Sequence, residues 1–259
     1  MANEKYVFVN RLFALAGRRI SKDANKVTLS PARTSVDISA CEDVANRYAK
    51  GPRSSEISVS GVGTQSELAL LTRLASEAFP EVEEPFLIFH DASAVIGGIA
   101  SFVQAQVQGV TVGGERAGSQ GFDAKVAGNG RPYLYASILQ NNVGGAAIGT
   151  NGAASSGVNL GALTAGKVAA FCVQVVDPPG ITGTGTPTIT LRIESDDNSG
   201  FTSAVTRATF TARTTAGGQI LEIDGDTTPI SDTYWRLAWT VSGTTPGFTV
   251  MAAGAIETR

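Results

Sequence analysis

Residues 101–110 read SFVQAQVQGV, and this stretch decides the fold. Side chains alternate from face to face along a β-strand. Gln104, Gln106 and Gln108 therefore share one face, and Val103, Ala105 and Val107 share the other. A face that is polar without charge, backed by an apolar one, predicts a strand over Ile99–Val112 with a wet side and a core side. The next strand, Gly121–Ala127, repeats the logic: Phe122, Ala124 and Val126 lie opposite Asp123 and Lys125. Between the two, VGGERAG at 112–118 reads as a hairpin turn.

Further strands are expected upstream at Lys26–Leu29, Ser35–Ser39, Glu56–Gly61 and Phe86–His90, and downstream at Tyr133–Leu139. One segment reads as a helix. In SELALLTRLASEAF, residues 66–79, Leu68, Leu71, Leu74, Ala75 and Ala78 fall at three- and four-residue spacing and form one apolar stripe. Thr64 or Ser66 can cap its start, Glu67 sits near the positive end of its dipole, and Pro80 stops it.

Residues 141–166, NNVGGAAIGTNGAASSGVNLGALTAG, carry no charge and are rich in Gly, Ala, Ser and Asn. That composition predicts a flexible linker. The expected division is a β domain over 1–142, a linker over 143–163 and a second β domain over 164–259. In the last of these, KVAAFCVQVV is a nearly continuous apolar run typical of a buried strand. TITLRIES alternates Ile189, Leu191 and Ile193 against Thr190, Arg192 and Glu194. YWRLAWTVSG places Trp235, Leu237, Trp239 and Val241 on one face. Short strands separated by turns such as SDDNSG and DGDTTP suggest a β-sandwich, Ig-like or jelly-roll-like.

The chain has 259 residues, of which 42% are hydrophobic, enough for a substantial core. Net charge is −3 and neither half has a basic excess, so tight binding to nucleic-acid phosphates is not expected. No apolar stretch reaches the ~20 residues that span a bilayer, so no membrane insertion is expected. The opening MANEKYVFVNRLFALAGRR has no basic region ahead of its apolar run and reads as mature structure. Cys41 and Cys172 are too few and too far apart for a disulfide framework or a zinc site, and Cys172 reads as a buried free thiol.

Catalytic chemistry finds little to use. His90 is the single histidine, so a Ser-His-Asp or Cys-His site would depend on it, and a site built on several histidines is excluded. The paired acids Glu83–Glu84, Asp196–Asp197 and Asp224/Asp226 lie in turns, where Asx-turn chemistry competes with a calcium reading whose spacing they do not match. GNG at 128–130 and GGAAIG at 144–149 do not form the strand–GxGxxG–helix unit of dinucleotide sites. The Trp235/Trp239 face could stack sugars or could be a core stripe. No catalytic residue, metal ligand or cofactor is assigned.

Residues 36–61 read VDISACEDVANRYAKGPRSSEISVSG. This resembles a pattern in the major tail tube proteins of long-tailed, siphovirus-type bacteriophages: a Val-Asp-[Ile/Val]-[Ser/Thr] strand, a loop, and an alternating strand ending Ser-x-x-Gly. Val36 to Ser39 match the opening and Ser58 to Gly61 the end. The 66–79 helix and the 99–127 hairpin follow in the same order. The chain departs from the pattern at Ile38-Ser39-Ala40-Cys41, where many relatives have Thr-Thr-Phe-Gly. Residues 164–259, GFTSAVTRATFTA among them, are similar to sandwich domains appended to such proteins.

The resemblance implies a mainly β fold. Its first domain would be a tail-tube-type β-sandwich or barrel with one flanking α-helix and a long β-hairpin, and its second a β-sandwich on the outside of the tube. It implies a structural virion protein, made in the host bacterial cytoplasm, that forms stacked hexameric rings around a bore through which DNA passes transiently. Partners would be other copies of the chain and tail proteins such as the tape measure, tail terminator and distal tail proteins. The lumen-facing residues would be Gln104, Gln106, Gln108, Asp123 and Lys125. The charged loop at 40–55, with Glu42, Asp43, Arg47, Lys50 and Arg53, suits contacts between rings or a plain solvated loop. Residues 1–20 suit docking on a neighbour or a first core strand. Two other readings compete: a capsid or tail decoration or adhesion module that binds glycans through the C-terminal sandwich, and a hydrolase on a β scaffold that would need His90.

Overall fold

The computed structural model describes residues 6–8, 12–15, 17–19, 24–37, 48–62, 83–90, 94–113, 121–177 and 181–259. Its strands, in chain order, are β1 (Tyr6–Phe8), β2 (Leu12–Leu15), β3 (Arg18–Arg19), β4 (Ala24–Asp37), β5 (Tyr48–Val62), β6 (Glu84–Phe89), β7 (Ile99–Gly113) and β8 (Gly121–Asn141). They continue as β9 (Gly152–Ala153), β10 (Val158–Asn159), β11 (Lys167–Val175), β12 (Thr182–Asp196), β13 (Val205–Thr209), β14 (Gly217–Asp224), β15 (Tyr234–Gly247) and β16 (Val250–Thr258).

The described residues are all β, and no helix occurs among them. This corrects the expected fold class, which carried one flanking α-helix. That helix rested on the spacing of leucines and alanines over 66–79, a segment outside the described residues. The elements that are described instead follow the two-residue period of strands. The hairpin turn expected at 112–118 also falls largely outside the described residues.

The chain divides into two compact units. The first comprises Met1–Asn10, Asp23–Glu83 and Val103–Pro132. Its strands run in the order β1-β4-β5-β8-β7. Register sets its two faces. Val27, Val59 and Ala124 stand side by side across β4, β5 and β8, as do Leu29, Ile57 and Val126, and all six are buried. The intervening rows are Lys26–Ser60–Asp123 and Thr28–Ser58–Lys125. Two expected strands merge in β4, which runs through Pro31. Pro31 pairs with Ser55 of β5, while β1 reaches β4 only at Val27–Leu29. A proline without an N–H is tolerated on such an uncovered edge.

The second unit comprises Arg11–Lys22, Glu84–Phe102 and Tyr133–Arg259. It therefore joins the end of the chain to segments expected in the first domain, and the expected boundary at 142 does not match the compact units. The physical reason is strand pairing. Met251–Gly254 of β16 pair with β8 at Ser137–Asn141, and β16 and β14 flank β11. A second sheet, β10-β15-β12-β13 with β9 also on β15, lies across from them. β11 is apolar on both faces because each serves a core. Ala169, Phe171 and Val173 meet Trp235, Leu237 and Ile193 between the two sheets. Val168, Ala170 and Cys172 meet Leu87, Phe102 and Met251 on the other side. Cys172 is a free thiol, and burial pushes its pKa well above the ordinary range.

Residues 143–163 do not form a free linker. β9 and β10 pair with β15, Ile148 bridges to Phe248 and Leu163 to Ile230. Trp239 Nε1 donates to Thr150 O and Trp235 Nε1 to Gly161 O, each at 3.0 Å. Val241 N donates to Asn151 Oδ1 at 2.7 Å. The small residues let this arm lie against aromatic rings: a Cβ on Gly157 would stand 2.1 Å from Cε2 of Phe201.

Residues 12–19 are likewise built into the second unit. β2 pairs with β6, and Phe13, Ala14 and Leu15 are buried. Gln174 of β11, fully buried, accepts from Gly17 N at 2.6 Å and donates to Ala14 O and Pro85 O. Gly17 O accepts from Asp177 N at 2.8 Å. Gly17 has φ +74, and a Cβ there would overlap the backbone of Gly217.

Candidate assembly surface

The first unit carries a broad polar sheet face. On β7, Val103 and Ala105 are fully buried, while Gln104 and Gln106 are half-buried and Gln108 is exposed. On β8, Ala124 and Val126 are buried while Asp123 and Lys125 are exposed. A Cβ on Gly128 would meet Ser55 of β5 and Val103 of β7, which places Val103 on the apolar side of the sheet. The glutamines consequently belong to the opposite face, with Thr28, Ser58 and Lys125. With the next row, Ser30–Glu56–Ala127, the charged residues in those three rows are Lys26, Lys125, Glu56 and Asp123, two of each sign. Apart from Ala127 the rest are hydroxyls, with the carboxamides of Gln104, Gln106 and Gln108 on β7.

Two features of this sheet bear on association. β1 covers only Val27–Leu29, so among the described residues no strand pairs with the outer side of β4 from Ser30 to Asp37. An uncovered edge is a template for another strand. The expected charged loop at 40–55 is partly strand. Lys50 and Arg53 belong to β5, opposite Ser35 and Arg33 of β4, because β5 begins at Tyr48. Glu42, Asp43 and Arg47 lie outside the described residues.

The residues weighed for catalysis and binding are otherwise engaged. His90 Nε2 lies 2.7 Å from Ser101 Oγ, and that hydroxyl donates to Leu134 O at 2.6 Å. A carbonyl only accepts, so the hydroxyl proton is committed to it and Nε2 must donate to Ser101. A serine nucleophile needs the reverse polarity, with the hydroxyl donating to the imidazole. Trp235 and Trp239 are buried in the sandwich core and offer no stacking platform. Asp196 accepts from Asn198 N at 3.0 Å and Ser203 N at 2.8 Å, an Asx-turn arrangement. Burial pushes the Asp196 carboxyl up, but those bonds outweigh it and hold its pKa below the ordinary value. Asp224 is lowered mainly by the N–H of Asp226, with Arg259 adding to it. Of the proline-flanked acids, Glu83 accepts from Asn129 Nδ2. Glu84 is raised by burial, partly countered by Arg213.

One polar cluster was not singled out from the sequence. Glu194 accepts from Arg192 Nε at 2.9 Å and from Arg236 Nε and Nη2 at 2.9 and 2.8 Å. Arg236 in turn lies 4.2 Å from the Phe201 ring centroid. Burial opposes ionisation of Glu194, but the two guanidiniums prevail and lower its pKa. Beside it, Arg207 joins Ser195 Oγ and Asp232 at 2.7 Å each. The alternation in TITLRIES put Arg192 and Glu194 on one face, but their partners from β15 and the 197–204 loop carry no local signal.

No family model matches the chain, and no curated protein matches it. Among solved structures it is similar to a chain in the tail of an empty gene transfer agent particle refined with C6 symmetry. The identity is 16% and the TM-score 0.35, over 48% of this chain and 95% of that one. A chain in the virion of a native gene transfer agent particle gives 14% and 0.34, over 48% and 95%. The SPP1 Dit protein, a hub of the adsorption apparatus in phages infecting Gram-positive bacteria, gives 9% and 0.34, over 95% and 99%. Likenesses this shallow do not assign the chain to a family.

Proposed function

We propose that the chain is a structural, non-enzymatic subunit of a phage tail. In this reading it polymerises with its own copies as stacked hexameric rings into the hollow tube through which DNA passes, and it resides in the virion. The observation that carries the reading is the polar face of the first unit. Its glutamines, serines and threonines, with two charges of each sign in the rows of Lys26, Thr28 and Ser30, would give DNA a wet wall without the lysine and arginine excess that holds phosphates. The sequence resemblance at 36–61 supports the same assignment. Rings close by rotation, which would complete the uncovered edge of β4 with a strand of the next copy. The tube would meet the tape measure, tail terminator and distal tail proteins at its core and ends. Glutamines 104, 106 and 108, with Asp123 and Lys125, would line the bore. The buried tryptophans weigh against the glycan-binding alternative.

Negative-stain electron microscopy of the purified protein tests the assembly: hollow rods with a regular axial repeat are expected. Gln106→Cys then tests the facing. In rods it should react with a small maleimide and resist a polymer-bearing one, whereas Thr244→Cys should react with both. A protein that stays monomeric at high concentration, or rods in which the residue-106 thiol takes the polymer as fast as Thr244→Cys, would refute the reading.

A further inference from the structure

The chain contains two Asn–Gly dipeptides, Asn129–Gly130 and Asn151–Gly152, and the proposed function uses neither. Asparagine followed by glycine can cyclise, because glycine offers no side chain to block attack by its own backbone nitrogen. Whether it does so depends on how firmly the local structure holds the pair.

The two sites differ in that respect. Asn151 and Gly152 are exposed, but bonds to β15 hold them. Asn151 Oδ1 accepts from Val241 N, and Gly152 pairs with Trp239 in the β9–β15 ladder. The flanking Thr150 O and Ala154 N are bonded to Trp239 and to Leu237. Asn129 and Gly130 lie within β8 but past Gly128, the last residue of that strand that pairs with β5. Gly130 has φ +77, far from extended backbone, and a Cβ built on it meets nothing within 4 Å. Both residues are exposed. The Asn129 carboxamide nitrogen donates to the exposed Glu83 carboxylate. That carboxylate can take up and return a proton as the carboxamide changes its bonding.

We propose that Asn129 is a site of spontaneous deamidation and that Asn151 is protected from it. The Gly130 nitrogen attacks Cγ of Asn129. The new N–Cγ bond closes a succinimide, the old Cγ–N bond breaks, and the side-chain nitrogen leaves as ammonia with the proton that Gly130 N gave up. Water then opens either carbonyl of the ring, leaving aspartate or isoaspartate. Nothing is oxidised or reduced. Asn129 follows Asp123, Lys125 and Ala127 at two-residue spacing, so the product adds a negative charge to the otherwise balanced polar face, beside Glu83. An isoaspartate also lengthens the β8 backbone at that point.

The test uses the full chain. Native protein and protein in concentrated urea are held in mildly alkaline buffer, digested, and both Asn–Gly peptides are followed by mass spectrometry. Asn129 has one side-chain hydrogen bond, to Glu83, whereas Asn151 is held by its own and by the ladder at Gly152, and each further bond of ordinary strength that must break slows the step by about tenfold. The Asn129 peptide should therefore convert at least about tenfold faster than the Asn151 peptide in native protein, and the two rates should converge in urea. Equal native rates, faster conversion at Asn151, or an Asn129 that stays intact in native protein while the unfolded chain converts would each overturn the proposal.

Discussion

Replacing Gln174 with leucine tests whether residues 12–19 belong to the core or are free to dock elsewhere. The two side chains are similar in volume, so the change is chiefly the loss of hydrogen bonds. Gly17 N would be left buried without its acceptor, at a cost of about 1–3 kcal/mol. The bonds to Ala14 O and Pro85 O would each forfeit about 1 kcal/mol. A buried leucine returns roughly 1–2 kcal/mol through burial of apolar area. The net loss is about 2–3 kcal/mol, which for a chain of this size lowers Tm by roughly 5–10 °C. Thermal unfolding measures the global effect, and amide hydrogen exchange of peptides covering 12–19 measures the local one. Protection there should fall more than in β12 or β15. A variant that melts with the wild type and keeps full protection over 12–19 would show that the buried amide does not hold this segment. If those residues gained protection only on assembly, they would be an arm for a neighbour instead.

Gly157→Val should cost about 1–3 kcal/mol in urea unfolding, because its side chain enters the space of the Phe201 ring, which lies under the Arg236 guanidinium on a backbone at φ +52. Glu194 has a lowered pKa in the fold, so its contribution is present above the ordinary carboxylate range and is lost as pH falls through the depressed value. Glu194→Gln should therefore lower stability at neutral pH and flatten the acid limb of a stability–pH curve; an unchanged acid limb would mean that the two arginines do not govern its ionisation.

The two-faced ribbon was legible because a strand has a two-residue period and the chemistry of SFVQAQVQGV switches with it. The tryptophan stripe was legible for the same reason. The continuity of the strands was less so. Pro31 reads as a break, yet it sits where β4 is covered on one side only. The GNGRP segment reads as a gap between two strands, yet β8 runs through it. The arm at 143–163 reads as a linker because glycine, alanine and serine are the residues of flexible linkers and also of chain lying flat on aromatic rings. Only the partners distinguish the two, and Trp235, Trp239 and Phe201 lie many residues downstream. Gln174 stands as one polar residue in the run VAAFCVQVV. Its bond to Gly17 spans 157 positions, beyond the reach of any local pattern. Composition along the chain also placed the domain boundary, whereas pairing of β16 with β8 decides it.

That pairing makes a firm statement about a chain ended at Asn142. Were the first 142 residues an independent domain, they would fold alone and keep the proposed bore-lining face. In the structure, Ala136 and Ile138 of β8, Phe102 of β7 and Phe89 of β6 share one buried cluster with Ala170, Cys172, Met251 and Ala253. All four of the latter would be removed. The truncation would also strip β16 from the edge of β8, exposing its N–H and C=O groups, and would delete the glutamine that holds β2 to β6. Burying one large apolar side chain contributes about 1.5–3 kcal/mol, so uncovering Phe89, Phe102 and Ile138 forfeits about 5–9 kcal/mol, comparable with the 5–15 kcal/mol by which a domain is ordinarily stable. In the 1–142 fragment the segments 12–19, 84–89, 94–102 and 133–142 should lose amide protection, and the fragment should be insoluble or bind hydrophobic dyes. A soluble fragment in which those segments stay protected and no dye binds would mean that the C-terminal strands are an addition to a finished domain.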